Sequence, residues 1–514
     1  MEIPGKAWGT NGAQHPEKQP TGSPEAAAAR PVYEVGRREY LLLILALGLG
    51  ILAADLLLSG LGLGVTVGVA AWYGVLLWYL GPRRLAESHS RLLFGAILLL
   101  ALTFALFSNG WFRFWNLGAL LMLLTVHAMQ LSGAAVRPWY VPGMLWERFR
   151  LLLSGLFGRL GVLGALGKNL KHENARRAVV LGAGAAVTAV LVLLATVLLS
   201  QADQVFQKLT AGLLDFLWSH LNVAAAKLIL GLCAAPFLLS LLYFLGRPKG
   251  LEKNQKEHAW RLDSVIPALL LGALDLLYVL FLCVQSAALF GGETYLRTMG
   301  ISYADYARSG FFQLVFVTAL NLTVLLVLMQ LADRSRRGWR LIQALATGMV
   351  ALSGVILLSA GWRMTMYVLT YGLSFRRALT YWGMVLMALF LGAACRKVWR
   401  AEFRFFRFAA AAALAGWLLL NYVPVDRVVA EYNVARYQAG TLEQIDLYYL
   451  SSLSYEALPA LERLDGNQPL ADWDDTTLAQ RLETRAARAA SACSRWETWS
   501  LSAWLAARSG CAGE

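Results

Sequence analysis

About eleven apolar stretches, each near the ~20 residues a helix needs to cross a bilayer, crowd into residues 40–424 and decide what this chain folds into. In lipid, backbone N–H and C=O groups must pair within their own segment, so such stretches become helices. They run 40–58, 61–80, 92–107, 116–131, 178–200, 221–245, 265–290, 311–332, 341–360, 379–395 and 408–422. The third, fourth and eleventh are short, which fixes the count to within one. With 58% hydrophobic and 15% charged residues, the composition falls outside the soluble range. The expected fold is all-α, a polytopic transmembrane helix bundle with a helical C-terminal tail, and its expected surroundings are the lipid bilayer.

The net charge of +14 would suit nucleic acid, but its Lys and Arg sit in short clusters between apolar runs, so nucleic acid is not an expected partner. Every second connection is basic: Arg37 and Arg38, then Arg83, Arg84 and Arg91, then the runs 148–177, 247–261, 334–340 and 396–407. The alternate connections, 59–60, 108–115, 201–220, 291–310 and 361–378, are poorer in Lys and Arg. Retention of positive loops in the cytoplasm then predicts a cytoplasmic N-terminus and an extracytoplasmic tail. Three parts follow: residues 1–39 as a disordered cytoplasmic tail, 40–424 as the bundle, and 425–514 as the extracytoplasmic helical tail. Within the bundle, residues 139–170 mix Leu, Phe and Gly with Arg148, Arg150, Arg159 and Lys168, the pattern of an interfacial helix or a cytoplasmic hairpin. No secretory signal is expected before the first span, because residues 1–39 carry five prolines and no apolar core. Gly60, Gly64 and Gly68 fall four apart, a stripe that lets another backbone approach.

Motifs for chemistry are sparse. Gly167-Lys168 has Val162 where a phosphate-binding loop needs Gly and Asn169 where it needs Ser or Thr. The six His show no paired spacing, Cys233, Cys283 and Cys395 lie in apolar runs, and there is no CxxC, so neither metal nor cofactor is expected. Cys493 and Cys511 lie in the tail, where an oxidising compartment permits a disulfide. Ionisable groups inside spans carry more information, since each is unfavourable by several kcal/mol unless paired or wet. Asp55, Lys227 and Asp275 are candidates for a proton or ion relay, or for an ion pair that fixes helix packing, and His127 lies in the fourth span.

The connections poor in Lys and Arg, together with the tail, carry dense strings. They include Ser200-Gln201-Ala202-Asp203-Gln204-Val205-Phe206, Tyr303-Ala304-Asp305-Tyr306-Ala307-Arg308-Ser309-Gly310-Phe311-Phe312, and Arg363, Tyr367, Tyr371 and Arg377. Others are Asn421-Tyr422-Val423-Pro424-Val425-Asp426, Asp446-Leu447-Tyr448-Tyr449-Leu450 and Leu453-Ser454. Over roughly residues 90–465 these strings resemble a family of bacterial multi-pass membrane proteins, domain of unknown function 4173, and its relative 4153. The resemblance implies an inner-membrane protein without an assigned activity.

The residue types themselves argue for an outer cap. Tyr303, Tyr306 and Tyr371 pair flat apolar faces with hydroxyls, and Asp203, Asp305, Arg308, Arg363, Arg377 and Asp426 supply charge partners. The first expectation is therefore a non-enzymatic scaffold or sensor, in partnership with an envelope or signalling protein. The alternatives are a transporter or lipid-moving protein using Asp275, Lys227 and Asp55, and a membrane-embedded transferase using Asp305 or Asp203 with Arg308 as an anion clamp.

Overall fold

The computed structural model describes residues 36–82, 85, 88–135, 137–141, 143–168, 188, 192, 195, 223–247, 265–290, 311–332, 338–471 and 473–509. Its first eleven helices are α1 (Arg37–Ser59), α2 (Leu63–Leu80), α3 (Ser88–Leu106), α4 (Gly110–Ser132), α5 (Gly143–Lys168), α6 (Val223–Gly246), α7 (Val265–Phe290), α8 (Phe311–Leu331), α9 (Trp339–Tyr371), α10 (Phe375–Trp399) and α11 (Phe405–Tyr422). All but α3 and α5 are long and apolar enough to cross a membrane, nine among the described residues, and α3 contributes a shorter apolar stretch, Ser90–Leu106. The chain is a multi-pass membrane protein. Ten of the expected spans coincide with helices, while the fifth, 178–200, lies almost wholly outside the described residues, as do residues 1–35.

Two apolar cores organise the bundle. One gathers side chains of α1 to α6, among them Leu42, Leu76, Phe104, Met129, Leu166 and Leu242. The other gathers α7 to α10 around Leu271, Leu325, Met349, Ile356 and Leu391. α11 joins them, because Leu414 and Trp417 pack on the first core and Ala409 on the second. The closest helix crossing is α1 on α6: a Cβ added at Gly231 would lie 2.7 Å from the Cα of Ile51, so only glycine lets these backbones meet.

Sequence and structure differ at several boundaries. α9 has 33 residues and continues past the expected end at 360 to Tyr371, about 50 Å of helix against ~30 Å of hydrocarbon. Arg363 ends the apolar run without ending the helix, which goes on burying Met364, Met366 and Val368. α4 begins at Gly110 because Asn109 caps it, its Oδ1 accepting from Phe112 N at 3.0 Å. Arg113 in that first turn donates to the Phe107 and Phe104 carbonyls at the end of α3, which accounts for a charge there. α5 is one continuous helix, not a hairpin, and Gly155 and Gly158 seat it against Phe237, Leu241 and Phe244 of α6.

The tail comprises α12 (Val425–Gln438), α13 (Leu447–Ser452), a 3-10 turn (Tyr455–Ala457), α14 (Leu458–Leu461), α15 (Leu478–Cys493) and α16 (Leu501–Ser509). The expected all-helical tail needs one correction: β1 (Pro469–Ala471) pairs antiparallel with β2 (Asp474–Thr477). Strands of 3 and 4 residues are too short to show an alternating pattern.

Candidate functional site

The tail is fastened to one end of the bundle by polar clasps at successive turns. At the α1–α2 turn, backbone N–H groups of Leu63 and Gly64 donate to the carbonyls of Trp499 (2.9 Å) and Glu497 (3.2 Å), so the tail backbone caps α2. Arg495 reaches the carbonyl of Ser59. Two glycines of the stripe serve this contact, since a Cβ at Gly60 would stand 2.9 Å from Thr498 Cγ2 and one at Gly64 3.2 Å from Glu497 Cα, while Gly68 faces Leu56 of α1. Gly62 between them would meet the Thr498 carbonyl carbon at 2.5 Å. The backbone that approaches here belongs to the tail.

At the α3–α4 turn, Glu456 accepts from Ser108 N (2.6 Å), and Asp426 Oδ2 accepts from Asn109 Nδ2 (2.7 Å) and from Ser454 N (3.0 Å). At the α9–α10 turn, the Asn433 amide bonds both backbone groups of Leu373, and Phe375 N donates to Tyr449 Oη at 2.8 Å. Below them runs a buried chain: Trp417 Nε1 donates to Asn116 Oδ1 (2.8 Å), and Asn116 Nδ2 donates to Asn421 Oδ1 (2.6 Å) and Thr103 Oγ1 (3.2 Å).

These clasps surround an open cleft of about 950 Å³, walled by the α1–α2, α3–α4 and α9–α10 turns on one side and by α13, α15 and α16 on the other. Arg113, Arg376, Arg485 and Arg488 line it, with Trp111, Phe375 and Tyr455 as apolar surface. Ser454 bonds the Asp426 carboxyl through its side chain as well as its N–H. Two other buried polar atoms on the walls, Arg485 Nε and Ser500 Oγ, have no hydrogen-bond partner among the described residues, which is uncommon for buried polar groups. Asp426 is only 3% exposed, and burial pushes its carboxyl above the ordinary carboxylate range, against the bonds from Ser454 and Asn109 that pull it down. Burial lowers the basicity of the Arg485 guanidinium, the expected direction for a cation short of partners.

One family matches this chain, that of the domain of unknown function DUF4153, over residues 94–464. The chain belongs to the DUF4153 family. Comparison with curated proteins and with solved structures finds no match. The DUF4153 match takes in the cleft wall made by Ser108, Asn109, Asp426 and Ser454, while Arg485, Arg488 and Ser500 of the facing wall lie beyond it.

Of the expected cap residues, the structure brings Asp426 into the cleft and gathers Tyr371 and Arg377 beside it. The Arg377 guanidinium stacks on Tyr367 at 3.9 Å and donates to the Tyr371 carbonyl, and the Tyr367 and Tyr371 rings lie 5.1 Å apart. Arg363 is 9% exposed, on the preceding turns of α9. Asp203, Tyr303, Asp305, Tyr306 and Arg308 lie outside the described residues, and so does Cys511 with the pairing expected of it.

The three intramembrane candidates separate. Lys227 of α6 forms an ion pair with Asp55 of α1, one turn from the Gly231 crossing. Asp275 belongs to α7, which packs in the other core, and Gly348 of α9 faces its carboxylate. His127 is held between Tyr73 Oη (2.7 Å) and Ser90 Oγ (2.8 Å). Among the described residues no group of three or more His, Cys, Asp or Glu is arranged to hold a metal ion.

Reading the sequence misses Asn109, Glu456, Arg485, Arg488 and Ser500. Asn109 carries a signal, standing with Ser108 just before an aromatic run as a helix cap does. The others are ordinary surface residues until the tail folds back.

Proposed function

We propose that this protein is a ligand-binding membrane protein, a non-enzymatic sensor or scaffold of the bacterial envelope, set in the cytoplasmic membrane with its N-terminus inside and its tail outside. The alternation of basic turns supports that orientation. In this reading residues 425–514 form an extracytoplasmic cap on the bundle, and occupancy of the cleft is passed to an envelope or signalling partner. The observation that carries it is an open cleft lined by four arginines in which Arg485 Nε and Ser500 Oγ have no partner among the described residues: a joint that merely seats the tail has no reason to gather them.

The test is thermal melting of the detergent-purified protein with the total lipid and small-molecule extract of its host. A rise in Tm is expected, and Ala492→Trp, which fills the cleft, abolishes that rise while leaving the Tm without extract unchanged. No shift with any fraction overturns the reading. A reporter fused after Glu514 that is active in the cytoplasm overturns the orientation.

A transport reading has one observation in its favour. Asp275 Oδ1 is buried without a partner among the described residues, one helical turn from Tyr278, whose hydroxyl donates to Asn321 (2.6 Å), which in turn donates to Ser353 (2.9 Å). Proton uptake into proteoliposomes that Asp275→Asn abolishes would move this reading ahead.

A further inference from the structure

The cleft does not end at its polar walls. Leu61 lines it and also lines an apolar groove of about 320 Å³ between α1, α2 and α4. One face of α4 runs through both. Arg113 stands in the cleft, and Leu117, Leu120, Leu121 and Leu124, at helical spacing, stand in the groove, covering roughly 10 Å of helix. Beside this face Phe114 and Trp115 are 69% and 52% exposed at the same end of α4, where an aromatic belt meets the headgroup level of a bilayer. Polar cleft and apolar groove thus adjoin at Leu61, side by side along one face of α4.

We propose that cleft and groove together hold a glycerophospholipid, its phosphodiester against the cleft arginines and an acyl chain along the α1–α2–α4 groove. The proposal rests on the cleft being a binding site, as argued above. Guanidinium groups match phosphate oxygens in geometry as well as charge, and Arg376 and Arg488 are exposed on the cleft walls with Arg485 Nε unpaired among the described residues. A free phosphate ester fills the cleft and leaves the groove empty, so a diacyl phospholipid fits both and free glycerol 3-phosphate does not.

The experiment is native mass spectrometry of the delipidated protein in detergent, titrated with phosphatidylethanolamine, phosphatidylglycerol or phosphatidylcholine of matched chains, and separately with glycerol 3-phosphate. One phospholipid molecule is expected per protein, bound at least tenfold tighter than glycerol 3-phosphate. The double variant Arg376→Gln/Arg488→Gln weakens that binding at least tenfold, and so does Ala53→Trp, which fills the groove from its exposed side. Equal retention of all three lipids, unmoved by either variant, would show annular lipid only and overturn the proposal. Glycerol 3-phosphate binding as tightly as whole lipid would overturn it in favour of a soluble phosphate ester. A Tm rise with host extract but no binding of any phospholipid leaves the cleft as a binding site and removes the lipid, so the two failures are told apart.

Discussion

The α1–α6 crossing and the tail junction both place charged side chains where water is scarce, and they treat them in opposite ways. At the crossing, Asp55 and Lys227 are satisfied by each other, and Gly50 and Gly231 remove every side chain that would hold the helices apart. At the junction, and among the described residues, Asp426 is bonded by Asn109 and Ser454 but faces no cation in an ion pair, and Arg485 spends one nitrogen on the Leu453 carbonyl and none at Nε. Complete pairing around a closed contact is what packing requires. Incomplete pairing around an open cleft is what a binding site requires before its ligand arrives. The two arrangements lie close together, since Ser59 both donates to Asp55 and lends its carbonyl to Arg495 of the tail, yet they pair their charges differently.

The largest expected effect tests the first half of that contrast. Lys227→Met leaves Asp55 without its cation beside the apolar core, which costs about 3–5 kcal/mol, whereas Lys227→Met/Asp55→Leu recovers most of the loss. Stability against SDS titration measures both variants. Were the double variant as unstable as the single one, the pair would have a role beyond packing, and the relay reading would regain its footing. Next in size, Gly231→Leu drives a side chain into the backbone of α1 at Ile51, an overpacking worth about 1–3 kcal/mol or more. Reduced abundance and early melting are expected, and Gly231→Ala falls between. A Leu variant as stable as the parent would mean that the helices do not cross at this point.

What could be read in the sequence divides along the same line. Spans are local, since each is an uninterrupted apolar run, and Asp55 and Lys227 stand out because a charge inside such a run is rare. Asp426 was legible as part of a dense string after the last span. The facing wall of the cleft was not. Arg495 meets the Ser59 carbonyl across 436 residues of chain, and Glu456 meets Ser108 across 348. Nothing local marks Arg485, Arg488 or Ser500 as cleft residues, because their chemistry exists only once α15 and α16 fold back. The glycine stripe was visible, but its neighbour, the 497–499 backbone, was not. The end of α9 was misjudged for a physical reason: Arg363 and the tyrosines after it lower the hydropathy, while their helical spacing keeps the chain coiled and Met364 and Val368 inside.

A smaller effect probes the clasps themselves. Asn109→Ala removes both the α4 cap and one bond to Asp426, an expected loss of about 1–3 kcal/mol confined to the junction. Proteolysis of the tail measures it: cleavage within α12 to α16 accelerates while the spans stay protected. Uniform acceleration through the bundle would mean that tail and bundle unfold as one unit, and the junction would lose its standing as a separate region.

The smallest effect is the most specific to the buried Asp426 carboxyl. Because burial raises the Asp426 carboxyl above its unfolded value of about 3.9, the folded junction binds a proton that the unfolded chain has released. Its contribution is therefore fully present below that unfolded value and is lost as pH rises through the higher folded value, so this group destabilises the junction at neutral pH. Asp426→Asn keeps an oxygen to accept from Asn109 and Ser454 and carries no charge, so it should flatten the dependence, matching the parent in acid and exceeding it near pH 7. The difference between the two melting curves across pH isolates this group from the other carboxylates. If the parent were instead the more stable of the two at neutral pH, Asp426 would be interacting favourably as a carboxylate, and a cation already present in the cleft would be its partner.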